Sequence, residues 1–281
     1  MSRLLGRSEL VRLVRLELRT QMPRARTWLA LGFSALVPVL ITAAFAVGGT
    51  PSATGGANET DFLLVATRSG IDMPLAALSA MAPFLLVVLV SLFNGETLSG
   101  EAASGRLRAL LARPVSRGRL LAAKGMVAVG LSVVACVAVS AAGLASGVAA
   151  FGWHRVVTPE LVSYSQGAAV ERLALATAYV IASLAGVGAF ALLVSTLTDS
   201  VIGAVSAGIG FAIVSEILDS IPALGSIRYG LPTHYMTAWG GLFLQPVDTG
   251  PIWQGLVVQA PYVVVFCGLA WWWFGRKDVL S

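Results

Sequence analysis

Charge is what this chain has least of. Only 12% of its 281 residues are charged, about half the ~25% usual in soluble proteins. Hydrophobic residues make up 57%, and the mean hydropathy is +0.82. A soluble domain of this length needs a charged skin, and nineteen basic and fourteen acidic side chains cannot supply one. Cysteine is scarce too. Cys136 and Cys267 both lie inside apolar runs, which excludes a disulfide framework and a metal-ligand spacing. Neither of the two histidines, His154 and His234, has a partner at metal-ligand or nucleophile spacing. No GxxxxGK[ST] phosphate loop occurs: Lys124 is followed by Gly125 and Met126, and Lys277 by Asp278. These absences exclude a soluble globular protein, a disordered tail, a disulfide scaffold and an ATPase. They leave an all-α polytopic membrane protein.

A bilayer core of ~30 Å needs about 20 apolar residues of helix. Uncharged runs of that length predict spans at 28–47, 73–93, 126–151, 173–197 and 252–274, and a sixth at 200–218 carries one acid, Glu216. Each backbone polar group must be satisfied within its own segment, which makes these spans helices. The basic region ahead of the first run is long, and the run exceeds the roughly 7–15 apolar residues of a signal peptide, so it reads as a retained span.

Sidedness follows from arginine and lysine. With the N-terminus inside, the inner segments hold Arg3, Arg7, Arg12, Arg15, Arg19, Arg24 and Arg26, then Arg106, Arg108, Arg113, Arg117, Arg119 and Lys124, then Arg276 and Lys277. The outer side holds Arg68, Arg155, Arg172 and Arg228. Fifteen of nineteen basic residues on one side is a strong positive-inside bias. Both termini are expected to be cytoplasmic, with residues 275–281 as an inner tail. The net charge of +5 is then a topology determinant facing anionic lipid, and nucleic acid is excluded as a partner. Single cysteines at Ser52 and Ser163, in a chain lacking Cys136 and Cys267, are expected to react with an impermeant thiol reagent in intact cells. One at Ser104 is not, and external labelling there would overturn the orientation.

Three segments outside the spans have character. Residues 1–27 contain an amphipathic helix: Leu10, Val11, Val14 and Leu18 share a face opposite Arg12, Arg15 and Arg19, the pattern of a helix lying in the membrane interface. Pro23 ends it. Segment 219–251 is too apolar for a plain loop and too interrupted for a span. Pro222, Pro232, Pro246 and Pro251 divide it, and Tyr229, Tyr235, Trp239 and Phe243 suit an interface. It is expected to form re-entrant or interfacial half-helices before span 6. The internal loop 95–125 carries Leu107, Leu110 and Leu111 as one apolar stripe flanked by arginines. Pro114 disfavours helix at Arg113, and Ser116 can cap the next helix. A helical elbow between spans 2 and 3 follows.

That loop resembles the signature of the type-two ATP-binding-cassette (ABC) exporter permeases. The match falls at Glu101, Gly105, Leu107, Leu110, Leu111, Pro114, Val115, Ser116, Arg117 and Lys124. It departs at Arg106, where that family usually has Thr, and at Ala123, where Gly is common. The resemblance extends to the whole chain through six spans, the N-terminal amphipathic helix and the broken outer segment. It implies that the loop is a coupling helix seated in a groove of a separate ATPase subunit. The leucines would fill the groove, with Glu101, Arg106 and Arg117 at its polar rim. It also implies ATP-Mg in that partner and no cofactor or metal in this chain. A second permease copy or a sister permease would complete the pathway. The setting implied is the bacterial plasma (inner) membrane. The short turn Thr198-Asp199-Ser200 would make a second ATPase contact.

Other classes stay open on the residues alone. A non-transporting membrane anchor or regulatory subunit of an ATPase complex would share the coupling loop. A secondary transporter would normally carry several intramembrane charges, and only Glu216 is available. A membrane-embedded protease would need paired aspartates, HExxH, or a serine with a histidine at depth. Gly130-Leu131-Ser132 has no such histidine. Gly143 with Gly147, and Gly203 with Ala207, have the spacing of close helix contacts.

Overall fold

In the computed structural model, residues 2–49, 62–64, 66–105, 116–157 and 163–276 are described. Among them the protein is helical, with six helices long and apolar enough to cross a membrane. It is a multi-pass membrane protein. Helix α1 is Ser2–Gln21 and α2 is Ala25–Gly48. The others are α3 (Met73–Ala103), α4 (Arg117–Phe151), α5 (Gln166–Leu197), α6 (Val201–Asp219) and α7 (Gly250–Arg276). A two-residue antiparallel ladder, Val156–Val157 with Ser163–Tyr164, joins α4 to α5.

The helices exceed the apolar runs at their ends. Span 2 continues as helix to Ala103, so 95–103 forms its last turns and not a loop. The polar residues there are held by protein: Asn94 donates to Ser132 Oγ at 3.1 Å, and Glu96 and Glu101 meet basic side chains. Helix α4 likewise starts at Arg117, nine residues before the apolar run. Its N-cap Ser116 has an extended backbone, but its hydroxyl makes no capping bond. Two spans are irregular. A π turn at Ala82–Leu86 interrupts α3 around Pro83, and α5 breaks at Leu184 (φ −88°, ψ −4°).

Packing centres on α3 and α4. Thr42 of α2 and Ser146 of α4 share a 2.8 Å hydrogen bond. Gly143 and Gly147 let α4 pass close to the start of α3. A methyl group added at Gly147 would overlap the Gly70 carbonyl and the Met73 side chain, and one at Gly143 would lie 2.9 Å from Pro74 Cα. The Gly203–Ala207 pair is not the packing point on α6. Gly208 is: its Cα faces Ser91 of α3 and Ala191 of α5. Phe190, Phe211 and Phe266 knit α5, α6 and α7, with the first two stacked at 4.6 Å.

Segment 219–251 folds as two 3₁₀ stretches, Pro222–Gly230 and Ala238–Phe243. Its prolines and glycines remove α-helical donors and favour tight i→i+3 turns. The second stretch buries Trp239 and Phe243 against Phe62, with Phe62 and Trp239 stacked at 5.0 Å. Tyr164 donates to the Phe243 carbonyl at 3.2 Å, and Arg172 donates to the Leu242 carbonyl. This segment is a cap whose Met236, Trp239 and Phe243 are continuous with the main hydrophobic core of the bundle.

Candidate functional site

The end of the bundle that carries both chain termini holds a cluster of six ionisable side chains. Helix α3 delivers Glu96 and Glu101 in its last turns. Helix α4 delivers Lys124, two turns in. Glu17 comes from α1, and Arg24 and Arg26 flank the bend into α2. Lys124 is 1% exposed, and its ammonium lies 2.8 Å from Glu17 Oε2 and 2.5 Å from Glu101 Oε1. Arg24 reaches Glu96 Oε1 at 2.8 Å, and Arg26 pairs with the same oxygen. Gln21 joins the two groups: its amide donates to Glu17 at 3.1 Å and its carbonyl accepts from Arg24 at 3.0 Å. Three acids meet three bases, so the cluster is formally neutral. Buried charges are tolerated when paired in this way, and a lone one is not.

The cluster defines how α1 sits. Val14 and Glu17 face the bundle, whereas Val11 and Leu18 are exposed on another side. The expected single apolar face of Leu10, Val11, Val14 and Leu18 is therefore split. The acid at position 17 turns the helix, because its carboxylate follows the Lys124 ammonium inward.

The residues expected at an ATPase contact are distributed as follows. Glu101 is buried and turned into the bundle toward Lys124, so its side chain does not lie at a rim. Gly105 ends α3: its φ of +68° is the left-handed conformation that glycine adopts without strain. Arg117 opens α4 and donates to the Gly275 carbonyl of α7 at 3.4 Å. Arg106, Leu107, Leu110, Leu111 and Pro114 lie outside the described residues. Thr198-Asp199-Ser200 forms the tight turn between α5 and α6 at the same end of the bundle. Ser200 Oγ caps α6 by accepting from Gly203 N at 3.1 Å.

Sequence reasoning missed Glu17 and Glu96 as members of this site. The available signal was an acid at the heart of a basic amphipathic helix, with Glu17 three residues from Val14 on the inward face. No spacing rule connects position 17 to positions 101 and 124.

At the opposite end, Glu216 is exposed on α6. Arg228 pairs with Asp219 at 3.4 Å. His234 Nδ1 lies 2.5 Å from the same Asp219 oxygen, and Ser215 and Thr233 hydroxyls meet at 2.6 Å. Glu216 thus borders a polar patch that links α6 to the cap. Glu216→Gln keeps the size and one acceptor oxygen while removing the charge. If this carboxylate lines a pathway or closes a gate, the change is expected to alter transport or coupled ATP hydrolysis and leave assembly intact. Unchanged rates in both assays would remove Glu216 from the mechanism.

The architecture defines a class: a multi-pass helical membrane protein, with an N-terminal helix clamped to its bundle by a neutral ion cluster. The particular family follows from comparison of the sequence. The chain belongs to the family described as protein of unknown function (DUF2705), whose model matches residues 35–280. No curated protein matches it.

Proposed function

We propose that this chain is the membrane-spanning permease subunit of an ABC exporter, driven by a separate ATPase subunit that docks on the loop between α3 and α4, within segment 95–125. The reading rests on the signature resemblance in that loop. The observation that supports it best is the meeting of Glu101 and Lys124. These two signature positions flank the loop, stand 23 residues apart in sequence and close to 2.5 Å in space. Their pairing ties together the two helix ends from which the loop is hung. Glu17 on the same ammonium ties α1 to that junction. A force applied to the loop would reach α3, α4 and α1 together through Lys124.

In this reading both termini and the ion cluster face the cytoplasm of a bacterial cell, and the cap Pro222–Phe243 is a re-entrant structure on the outer side. ATP-Mg is bound and hydrolysed in the partner. A second copy of the chain, or a sister permease, encloses the pathway. The test is purification of the tagged chain from its native membrane, followed by identification of what accompanies it. A nucleotide-binding subunit at a fixed ratio, with ATP hydrolysis raised by a transported compound, is the expected result. A co-purifying ATPase with no substrate response would identify a membrane anchor, and no ATPase at all would overturn the reading.

A further inference from the structure

A cavity of about 300 Å³ lies between α3, α4, α5 and α7. It is twice the ~150 Å³ of an apolar cavity that accepts benzene, and at the lower end of the ~300–1,000 Å³ of ligand pockets. No lining residue carries a formal charge. The polar groups in the wall are already engaged. Asn94, 2% exposed, gives its amide hydrogens to Val90 O at 2.9 Å and to Ser132 Oγ at 3.1 Å, and Ser132 gives its own to Ala128 O at 2.9 Å. Water entering here would find few partners, and an apolar space without them stays dry. A dry void of this size forfeits packing on every wall.

The cavity has a built mouth. Toward the chain termini, α4 and α7 are pinched together by Trp271 packed on Gly118 and by the Arg117–Gly275 bond. Toward the other end, Gln259 anchors α7 by accepting from Gly186 N at 3.1 Å and donating to Pro232 O at 2.7 Å. Between these levels the cavity is lined by Val129 and Val133 of α4 and by Val263 and Cys267 of α7, and Val129 and Cys267 are exposed. Val129 is eleven residues beyond Gly118, about 16 Å along the helix at ~1.5 Å per residue. That depth lies in the hydrocarbon of the leaflet on the side of the termini. The medium outside the mouth is therefore acyl chain. On the inner wall α5 breaks at Leu184, and Gly188 lets Val90 and Asn94 of α3 pack closely on α5, where an added methyl group would lie 3.1 Å from Val90.

We propose that this cavity is a binding site for one acyl chain of a membrane lipid, entering sideways between α4 and α7 from the leaflet on the terminal side. Its neutral, internally satisfied wall accepts hydrocarbon and rejects a charged headgroup, which stays outside. The chain fills this space and props α7 against α4. The site stands on the cavity and its mouth alone and does not depend on ATPase coupling.

The experiment uses the purified full chain, stripped of lipid and titrated with a phospholipid bearing a diazirine in one acyl chain. After illumination, the labelled peptides are read by mass spectrometry. Labelling is expected to concentrate on 129–136 and 263–267 and to saturate at about one lipid per chain. Ala185→Phe, which projects a ring into the cavity, should cut that labelling by an order of magnitude. Val264→Phe, on a side chain 70% exposed to the bilayer, should leave it unchanged. If Ala185→Phe does not fold, Ala182→Leu offers a smaller plug with the same readout. Non-saturating labelling spread equally over exposed α6 positions such as Ile213 and Val214 would mean bulk lipid contact only, and would overturn the site. So would an unchanged yield in the plugged variant. A disulfide dimer through Cys267 under mild oxidation would put a second copy over the mouth, and would overturn it as well.

Discussion

If the chain is an ABC permease, replacing Leu110 and Leu111 together by alanine is expected to leave membrane insertion intact and to abolish ATPase recovery with the tagged chain or uncouple hydrolysis from transport. Leu107, Leu110 and Leu111 share the spacing of one helix face in a segment rich in arginine, a pattern that suits packing on lipid or on a partner. If the partner groove packs like a protein core, each truncated leucine costs about 2–5 kcal/mol. Every ~1.4 kcal/mol is a tenfold loss of affinity, so the double change should weaken docking by well over two orders of magnitude. Pro114→Ala should act differently. If the chain turns at Pro114 as the sequence predicts, the change loosens that turn without emptying the groove, so hydrolysis should become uncoupled from transport while binding persists. A loop that merely anchors in lipid predicts the opposite of the double-alanine result. Expression or membrane stability would fall, and the ratio of ATPase to folded permease would stay constant. That ratio, measured from one purification, separates the two.

Lys124→Met is expected to be the most destabilising single change at the terminal end of the bundle. The ammonium is shared by Glu17 and Glu101, and all three side chains are buried. Methionine fills the space but leaves two carboxylates facing each other without a cation. Breaking a buried pair by removing one partner costs about 3–5 kcal/mol, and two acids are orphaned here. The measurement is thermal unfolding of the purified chain, with monodispersity as a second readout. Combining Lys124→Met with Glu17→Gln and Glu101→Gln removes the stranded charges and should recover most of the folded protein, since replacing a whole buried ion cluster is often near neutral. The triple variant then tests the mechanical role. If the chain is an ABC permease, the triple variant should fold and bind the ATPase, but hydrolysis and transport should be less tightly linked. Wild-type stability in Lys124→Met alone would mean that the cluster is solvated and does not clamp α1.

Helix ends show where sequence patterns stop being informative. Hydropathy placed span 2 at 73–93, because Asn94, Glu96 and Glu101 read as the beginning of a loop. They read so because a polar residue is cheap in water and costly in an apolar bundle unless it is paired. Their partners are Ser132, Arg24 with Arg26, and Lys124, which come from α4 and the α1–α2 bend, far along the chain. The same reason explains α1. Its periodicity was legible, but the side that faces protein was set by Glu17 finding Lys124, a contact 107 residues away in sequence. Gly105 is a different case. It takes a φ of +68° just past the last turn of α3, the left-handed turn that glycine favours after a helix, yet the sequence reading ends the span at Phe93 and does not mark it.

By itself the sequence determined the class. Scarce charge and six long apolar runs leave a helical bundle in a membrane, because backbone polar groups in hydrocarbon can be satisfied only within each helix. The close passage at Gly143 and Gly147 was also written in local spacing. Only the tertiary structure decided which buried charges meet, that α5 breaks at Leu184, that Gly208 and not Gly203 brings α6 against α3, and that a cavity opens between α4 and α7. Each of these depends on side chains from different helices arriving at one place. Helix periodicity fixes which residues share a face, but not which face of another helix it meets. In an apolar bundle, many faces are nearly equivalent until a few paired charges and close glycine contacts select one arrangement.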